Sequence, residues 1–202
     1  PFGGFPLKKS EDEFKIDEIP NTVLFFGRIW PYKGIEYLIK AEPLIRKQIP
    51  GIRIVIAGSG DNIDKYTSLI DREESFVIHN YHIPNNEVLR LFQEASLVVV
   101  PYIEATQSSI PPLAFQFGKP VIVTDLGSLT DMVDNGKQGF VVPPKDEQSL
   151  ADAIIKILKD NSLRVEMGIQ GKKKIENELS YDTIAKKTMR VYSQTLISKY
   201  KL

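Results

Sequence analysis

Residues 21–45 read NTVLFFGRIWPYKGIEYLIKAEPLI, and a change of hydrophobic period inside this stretch decides the fold. Residues 23–26 are continuously apolar and bounded by turn-forming residues, the pattern of a strand buried on both faces. Beyond Gly34 the apolar positions Ile35, Leu38, Ile39 and Ile45 fall at helical spacing on one face, and Pro43 is expected to kink or shorten that helix. A second apolar run at residues 52–57 follows, so the segment reads as strand, helix, strand.

The alternation continues outward. Further apolar runs at residues 76–78, 97–100, 121–123 and 140–142 are too continuous for a sheet wet on one face, which implies a parallel sheet. Asn85 or Asn86 is placed to cap a helix carrying Val88, Leu91 and Phe92, and Asp146 to cap one carrying Leu150, Ile154, Ile157 and Leu158. A polar helical stretch at 164–178 precedes a last helix in which Ser180 is the expected cap and Ile184, Thr188, Val191 and Thr195 share a face. The expected fold class is α/β: a doubly wound, Rossmann-like parallel sheet of about six strands with right-handed crossovers and additional C-terminal helices. Residues 1–20 mix Gly, Pro and charge and read as a linker or docking segment, with 21–202 as the folded domain.

Composition bounds the partners. The 202 residues suit one domain, and 26 Lys plus Arg balance 26 Asp plus Glu, so there is no global attraction to nucleic acid and any anion site has to be local. Without cysteine there is no disulfide, thiolate metal site or catalytic thiol, which fits a reducing compartment and makes the cytoplasm the expected location. No apolar run reaches bilayer length, and the start Pro1-Phe2-Gly3-Gly4-Phe5-Pro6 lacks a signal-peptide pattern. Because the chain begins without methionine, a missing N-terminal partner domain is expected. Lys172, Lys173, Lys174, Lys186, Lys187 and Arg190 read as a solvated helix face, with peripheral contact to an anionic inner membrane face as the sharper alternative.

In an open parallel sheet, ligands bind beyond the carboxyl ends of the strands, so the residues just after each strand carry the chemistry. Gly27-Arg28-Ile29-Trp30-Pro31-Tyr32-Lys33-Gly34 supplies two cations and flexible glycines at the mouth of a helix, which suits a diphosphate; the plainer reading is surface cations beside a turn. Ala57-Gly58-Ser59-Gly60 permits close backbone approach but falls short of a dinucleotide fingerprint. At Asn80-Tyr81-His82-Ile83 the Tyr81 ring and nearby amides are placed to frame a base, while His79 and His82 lack a third ligand at metal spacing. The segment from Pro101 through Glu104, Thr106, Gln107, Ser108 and Ser109 leads into another helix whose starting N–H groups are expected to face phosphate; capping alone explains Thr106 or Ser108 equally well. Pro111 and Pro112 fit that helix's first turn.

These segments, in this order, resemble the C-terminal domain of group 1 retaining glycosyltransferases with the GT-B fold, over roughly residues 21–192. The matching pieces are Gly-Arg-x4-Lys-Gly at Gly27, Arg28, Lys33 and Gly34, the Ala-Gly-Ser-Gly turn, and Glu104 through Phe117-Gly118-Lys119-Pro120-Val121. Val123 to Leu129 and Asp134 to Pro143 complete the series. The resemblance implies a nucleoside diphosphate sugar as donor, Arg28 and Lys33 neutralising its diphosphate, and the loop after Glu104 holding phosphate and sugar. It further implies an acceptor half outside this chain, so that the chain alone binds donor better than it turns it over.

The family commonly carries Glu-x7-Glu; here position 112 is Pro, and the register aligned from Gly118 puts Ala105 and Leu113 at the two sites. Either register lacks the second carboxylate, although a subgroup with Ala-Thr-Gln-Ser in this loop is similar. A non-catalytic nucleotide-binding or interaction module and a nucleotide-sugar epimerase are the alternatives. No Asp-x-Asp is present, and the resemblance implies no metal and no other cofactor. Donor binding is therefore expected to survive a chelator unchanged; loss with chelator and recovery with manganese, read by calorimetry, would contradict this.

Overall fold

The computed structural model describes residues 16–60, 63–179 and 181–200. Six strands form one sheet: β1 (Thr22–Phe26), β2 (Arg53–Gly58), β3 (Phe76–Asn80), β4 (Leu97–Val100), β5 (Val121–Thr124) and β6 (Gly139–Val142). Their spatial order is β3-β2-β1-β4-β5-β6 and every neighbouring pair is parallel. All six runs expected from the sequence are strands. The connection from β1 to β2 therefore travels one way across the sheet and that from β4 to β5 travels the other, leaving a switch point between β1 and β4.

The helices are α1 (Ile35–Arg46), α2 (Asp64–Thr67), α3 (Asn85–Glu94), α4 (Ile110–Gln116), α5 (Leu129–Met132), α6 (Glu147–Lys159) and α7 (Asn161–Lys174). A π-helical turn at Ile175–Leu179 leads into α8 (Tyr181–Tyr200). Leu24, Ile54, Ile56, Val98 and Ile122 are completely buried, as continuous apolar strands covered on both faces require. Burying each such side chain contributes about 1.5–3 kcal/mol. Phe92 of α3 extends this core, lying 5.3 Å from both Phe26 and Phe117. α1 packs along α6, and α4 along α7.

Side-chain caps begin two of the helices. Asp146 caps α6 as expected, its carboxylate accepting the Ser149 N–H at 2.9 Å and the Ser149 hydroxyl at 2.6 Å. Asp160 caps α7 in the same way, accepting from the Leu163 N–H at 2.9 Å. Two expectations are corrected. Neither Asn85 nor Asn86 caps α3: Pro84, already extended at φ −71° and ψ 155°, occupies the cap position and both asparagines enter the helix. Pro43 does not shorten α1, which runs on to Arg46; placed in the last turn, the proline removes a single backbone bond, while Glu42 holds Arg46 at 2.9 Å. Ser180, the expected cap of α8, lies outside the described residues, and Thr188, Val191 and Thr195 on α8 are exposed.

Residues 16–20 are docked against the sheet. The Ile19 N–H donates to the Glu94 carbonyl at 2.9 Å. Glu18 accepts from the Ser96 hydroxyl at 3.1 Å and the Lys119 ammonium at 3.0 Å, and also pairs with Arg164. This end of the segment read as a linker or docking strap thus sits at the starts of β4 and β5, away from the ligand end.

At that ligand end, Gly34 joins the Pro31–Lys33 turn to α1 with φ +65°. A Cβ there would lie 1.9 Å from the Pro101 carbonyl oxygen. Gly34→Ala is therefore expected to destabilise the fold by roughly 2–4 kcal/mol, combining left-handed strain with a backbone clash. A urea midpoint within error of wild type would show that this approach is not fixed.

Candidate functional site

The loop leaving β1 and the loop leaving β4 meet across the switch point. The Ile103 N–H donates to the Tyr32 carbonyl at 2.9 Å, and Gly34 presses against Pro101. From the other side, the loop after β2 supports the loop after β1. A Cβ on Gly58 would lie 1.8 Å from the Gly27 carbonyl and one on Gly60 2.2 Å from the Ile29 carbonyl. The Ile29 N–H donates to the Ser59 carbonyl at 3.0 Å, and the Asn80 side chain holds the Gly60 N–H at 3.1 Å. The loop after β5 supports the β4 loop in turn: the Ser128 hydroxyl donates to the Thr106 carbonyl at 2.5 Å, and Gly127 at φ +49° approaches the Ala105 carbonyl.

Between the β1 and β4 loops lies an open cavity of about 340 Å³. Of the residues expected from the sequence, Gly27, Arg28, Lys33, Gln107, Ser108 and Ser109 line it. Tyr32, Tyr102 and Ile110 line it as well and were given no role in the sequence reading. Among the described residues, none that lines it is acidic.

Two cations and two aromatic faces set its electrostatics. The Arg28 guanidinium lies 5.8 Å from the centre of the exposed Trp30 ring. The Lys33 ammonium lies 3.6 Å from the Tyr102 ring centre and 5.0 Å from that of Tyr32. Lys33 makes no ion pair among the described residues, and burial, helped by the neighbouring Arg28 charge, pulls its pKa down to about 8. Burial pushes the Tyr102 phenol up to about 12, so it keeps its proton.

The start of α4 differs from expectation. Its N–H groups were expected to face phosphate, but Pro111 and Pro112 have none. The Ile110 N–H donates to the Ser108 hydroxyl at 3.2 Å and the Leu113 N–H to the Ser109 carbonyl at 3.3 Å. The first-turn amides of α4 are thus absent or occupied, and the side-chain donors that line the cavity are the guanidinium, the ammonium, the Gln107 amide and the two serine hydroxyls. Ser108 ties down the first amide of α4, whereas Thr106 is exposed and contributes its carbonyl to loop packing.

Several expected site residues lie outside the cavity lining. Gly34 and Gly58 shape it through backbone packing. Glu104 is exposed on the same loop. Tyr81 belongs to a surface network, its hydroxyl 2.7 Å from Glu87 and 3.1 Å from His79. Of the positions where a second carboxylate was sought, Pro112 and Leu113 are both buried in α4, so that point of the structure is core. Among the described residues no group of His, Asp or Glu has metal-binding geometry, and no helix is long and apolar enough to cross a membrane.

Comparison with known proteins agrees with this architecture. The family model of glycosyl transferases group 1 matches residues 8–174. An uncharacterized glycosyltransferase of Methanocaldococcus jannaschii is 32% identical over 179 residues, covering 88% of this chain and 46% of the relative. A TarM variant of S. aureus, solved in complex with UDP, Fondaparinux and alpha-GlcNAc-glycerol, superposes with a TM-score of 0.78 at 22% identity, over 88% of this chain and 36% of TarM. The C-terminal domain of a group 1 family glycosyl transferase (LpcC) from Francisella tularensis superposes with a TM-score of 0.73 at 21% identity, over 81% of this chain and 89% of that one. The chain thus spans less than half of the curated relative but nearly the whole of a separately crystallised C-terminal domain. With a family match over most of its length and a six-stranded switch-point sheet of the same fold, the chain belongs to the group 1 glycosyltransferases.

Proposed function

We propose that this chain is the donor-binding half of a retaining glycosyltransferase, taking a nucleoside diphosphate sugar whose diphosphate lies between Arg28 and Lys33. The observation that carries the reading is the convergence of those two cations with side-chain donors on a cavity that has no acidic lining among the described residues. UDP in the complex of the structurally similar TarM supports this ligand class. The acceptor is bound outside these residues, by the remainder of a longer protein.

In the proposed reaction, the bond between the anomeric carbon and the diphosphate oxygen breaks, the acceptor's nucleophile bonds to that carbon and gives up its proton to the departing diphosphate, and negative charge gathers on the diphosphate as it leaves. Arg28 and Lys33 neutralise that charge, and the hydroxyls of Ser108 and Ser109 and the Gln107 amide donate to its oxygens. Donors fixed before the reaction stabilise such charge without reorganising during it. Neutralisation by side chains makes a metal ion unnecessary. Glu104, on the same loop, is assigned to the transferred sugar beyond the diphosphate.

Two measurements test the reading. Melting temperatures with UDP, GDP and ADP should rise with one nucleotide; at a hundredfold excess over its Kd the gain is about 2.7 kcal/mol, on the order of five degrees for this size. Lys33→Ala should reduce the rise without removing it, and no shift with any nucleotide counts against the donor cradle.

The second measurement is pH dependence. A bound diphosphate favours the charged lysine and so raises the Lys33 pKa from its free value of about 8. Binding then takes up a proton above that value, and affinity falls as pH rises through it. Calorimetry at about pH 7 and about pH 9.5 should show the fall in wild type and a flatter profile in Lys33→Ala; equal slopes would remove Lys33 from the site.

A further inference from the structure

We infer that Tyr102 is the positioning residue of the cradle: its ring face holds the Lys33 ammonium over the cavity, and its hydroxyl, bonded to Ser108, turns the Ser108 proton into that cavity. The inference rests on the proposed diphosphate reading and adds to it a residue that serves both kinds of donor at once.

The first half is a matter of geometry. The Tyr102 ring is 1% exposed and meets the Tyr32 ring edge-on, with centroids 6.4 Å apart and planes at 72°. Its backbone is also fixed, the Thr124 hydroxyl donating to the Tyr102 carbonyl at 2.7 Å. Lys33 reaches from the opposite loop and places its ammonium 3.6 Å from the ring centre. The groups facing that ammonium are the Arg28 guanidinium from its own loop, the Tyr32 ring, and Tyr102. With no carboxylate paired to it among the described residues, the aromatic face is what holds a long, flexible side chain in place.

The second half follows from counting hydrogen-bond capacity. A serine hydroxyl has one proton to donate and two lone pairs. At Ser108, which is 6% exposed, the Ile110 N–H takes one lone pair at 3.2 Å. The Tyr102 hydroxyl lies 3.3 Å from the same oxygen. The contact allows either hydroxyl to donate, and the inference assigns the donor role to Tyr102, whose hydrogen-bond partner among the described residues is Ser108. Both lone pairs of Ser108 are then occupied, and its own proton is directed to the cavity that the residue lines.

The test separates the two halves. Lys33 is titrated by NMR through its side-chain signals, and inorganic pyrophosphate is the probe for calorimetry, in wild type, Tyr102→Phe, Tyr102→Leu, Ser108→Ala and the double variant Tyr102→Phe/Ser108→Ala. Tyr102→Phe keeps the ring and should leave the Lys33 midpoint in place while weakening pyrophosphate several-fold. Ser108→Ala should weaken it similarly, and the double variant no more than either single change, since both remove one donor. Tyr102→Leu keeps the apolar volume but loses the ring face, so the Lys33 midpoint should fall by about half a unit.

An unchanged midpoint in a folded Tyr102→Leu, or additive losses in the double variant, overturns the inference. Should Tyr102→Leu fail to fold, the cycle built on Tyr102→Phe decides alone. If wild type binds no pyrophosphate, the diphosphate reading fails, and with it the Ser108 half. A midpoint that still responds to Tyr102→Leu upholds the ring contact separately.

Discussion

The first crossover helix begins with its backbone pressed against the loop that leaves the fourth strand, and the site exists because of that approach. Only a residue without a side chain can stand at position 34, where a Cβ would lie 1.9 Å from the Pro101 carbonyl. The approach occurs at the point where the strand order reverses, so the two crossovers diverge from it and leave a crevice. Lys33, one residue earlier, is carried to the Tyr102 ring by the same contact, and the Tyr32 carbonyl accepts the Ile103 N–H beside it. Gly58 and Gly60 repeat the device one strand further along, setting the loop after β2 against the Arg28 loop. The cradle is thus located by backbone packing, and its side chains are arranged afterwards.

Placing two cations in that crevice is unfavourable for the fold by itself. The chain carries no net charge, and its surface offers ample room for a solvated lysine. Lys33 is instead half-buried, close to Arg28 and unpaired among the described residues, a setting that lowers its pKa to about 8. Aromatic faces offset part of the cost without neutralising the charge, since a ring quadrupole attracts a cation but leaves it free to meet an anion. A carboxylate in the same position would stabilise the empty site more and compete with a phosphate for it. The pKa of Lys119, at the other end of the sheet, is pulled to about 8 by burial in the same way, but that lysine is paired with Glu18 and docks the preceding segment.

The sheet was legible because its strands are covered on both faces and therefore read as unbroken apolar runs, and six of these were found. The caps were less so. Asp146 behaves as its type predicts, while Asn85 and Asn86 lose the cap position to Pro84, whose fixed φ already provides the extended geometry. In the site, the cations and the hydroxyl-rich loop were visible as residue types placed just after strands. The glycines were legible as points of close approach, and in the structure Gly58 approaches the protein's own backbone. Tyr102 was passed over because its importance lies in a contact with a lysine far away in sequence, which no local pattern reveals. The first turn of α4 was readable and was misread, since Ile110-Pro111-Pro112 already states that two of the expected amides do not exist.

Those two prolines connect the remaining peculiarities of the site. A helix start that presents free amides binds phosphate through backbone groups whose positions cannot be altered by substitution. Here the amides are absent or occupied, and the same region has buried apolar residues, Pro112 and Leu113, where the family commonly carries a second carboxylate. With that end of α4 given over to the core, the donors around the crevice are carried by the surrounding loops, several of them as side chains. Side-chain donors need to be held still to be effective, because each flexible group that is ordered on binding subtracts from the affinity. The rigid elements nearest the crevice are the buried tyrosine and the braced loops on either side of it. A core-like α4 and an aromatic support for Lys33 and Ser108 are therefore two aspects of one arrangement, in which packing takes over the ordering role that a helix terminus plays elsewhere.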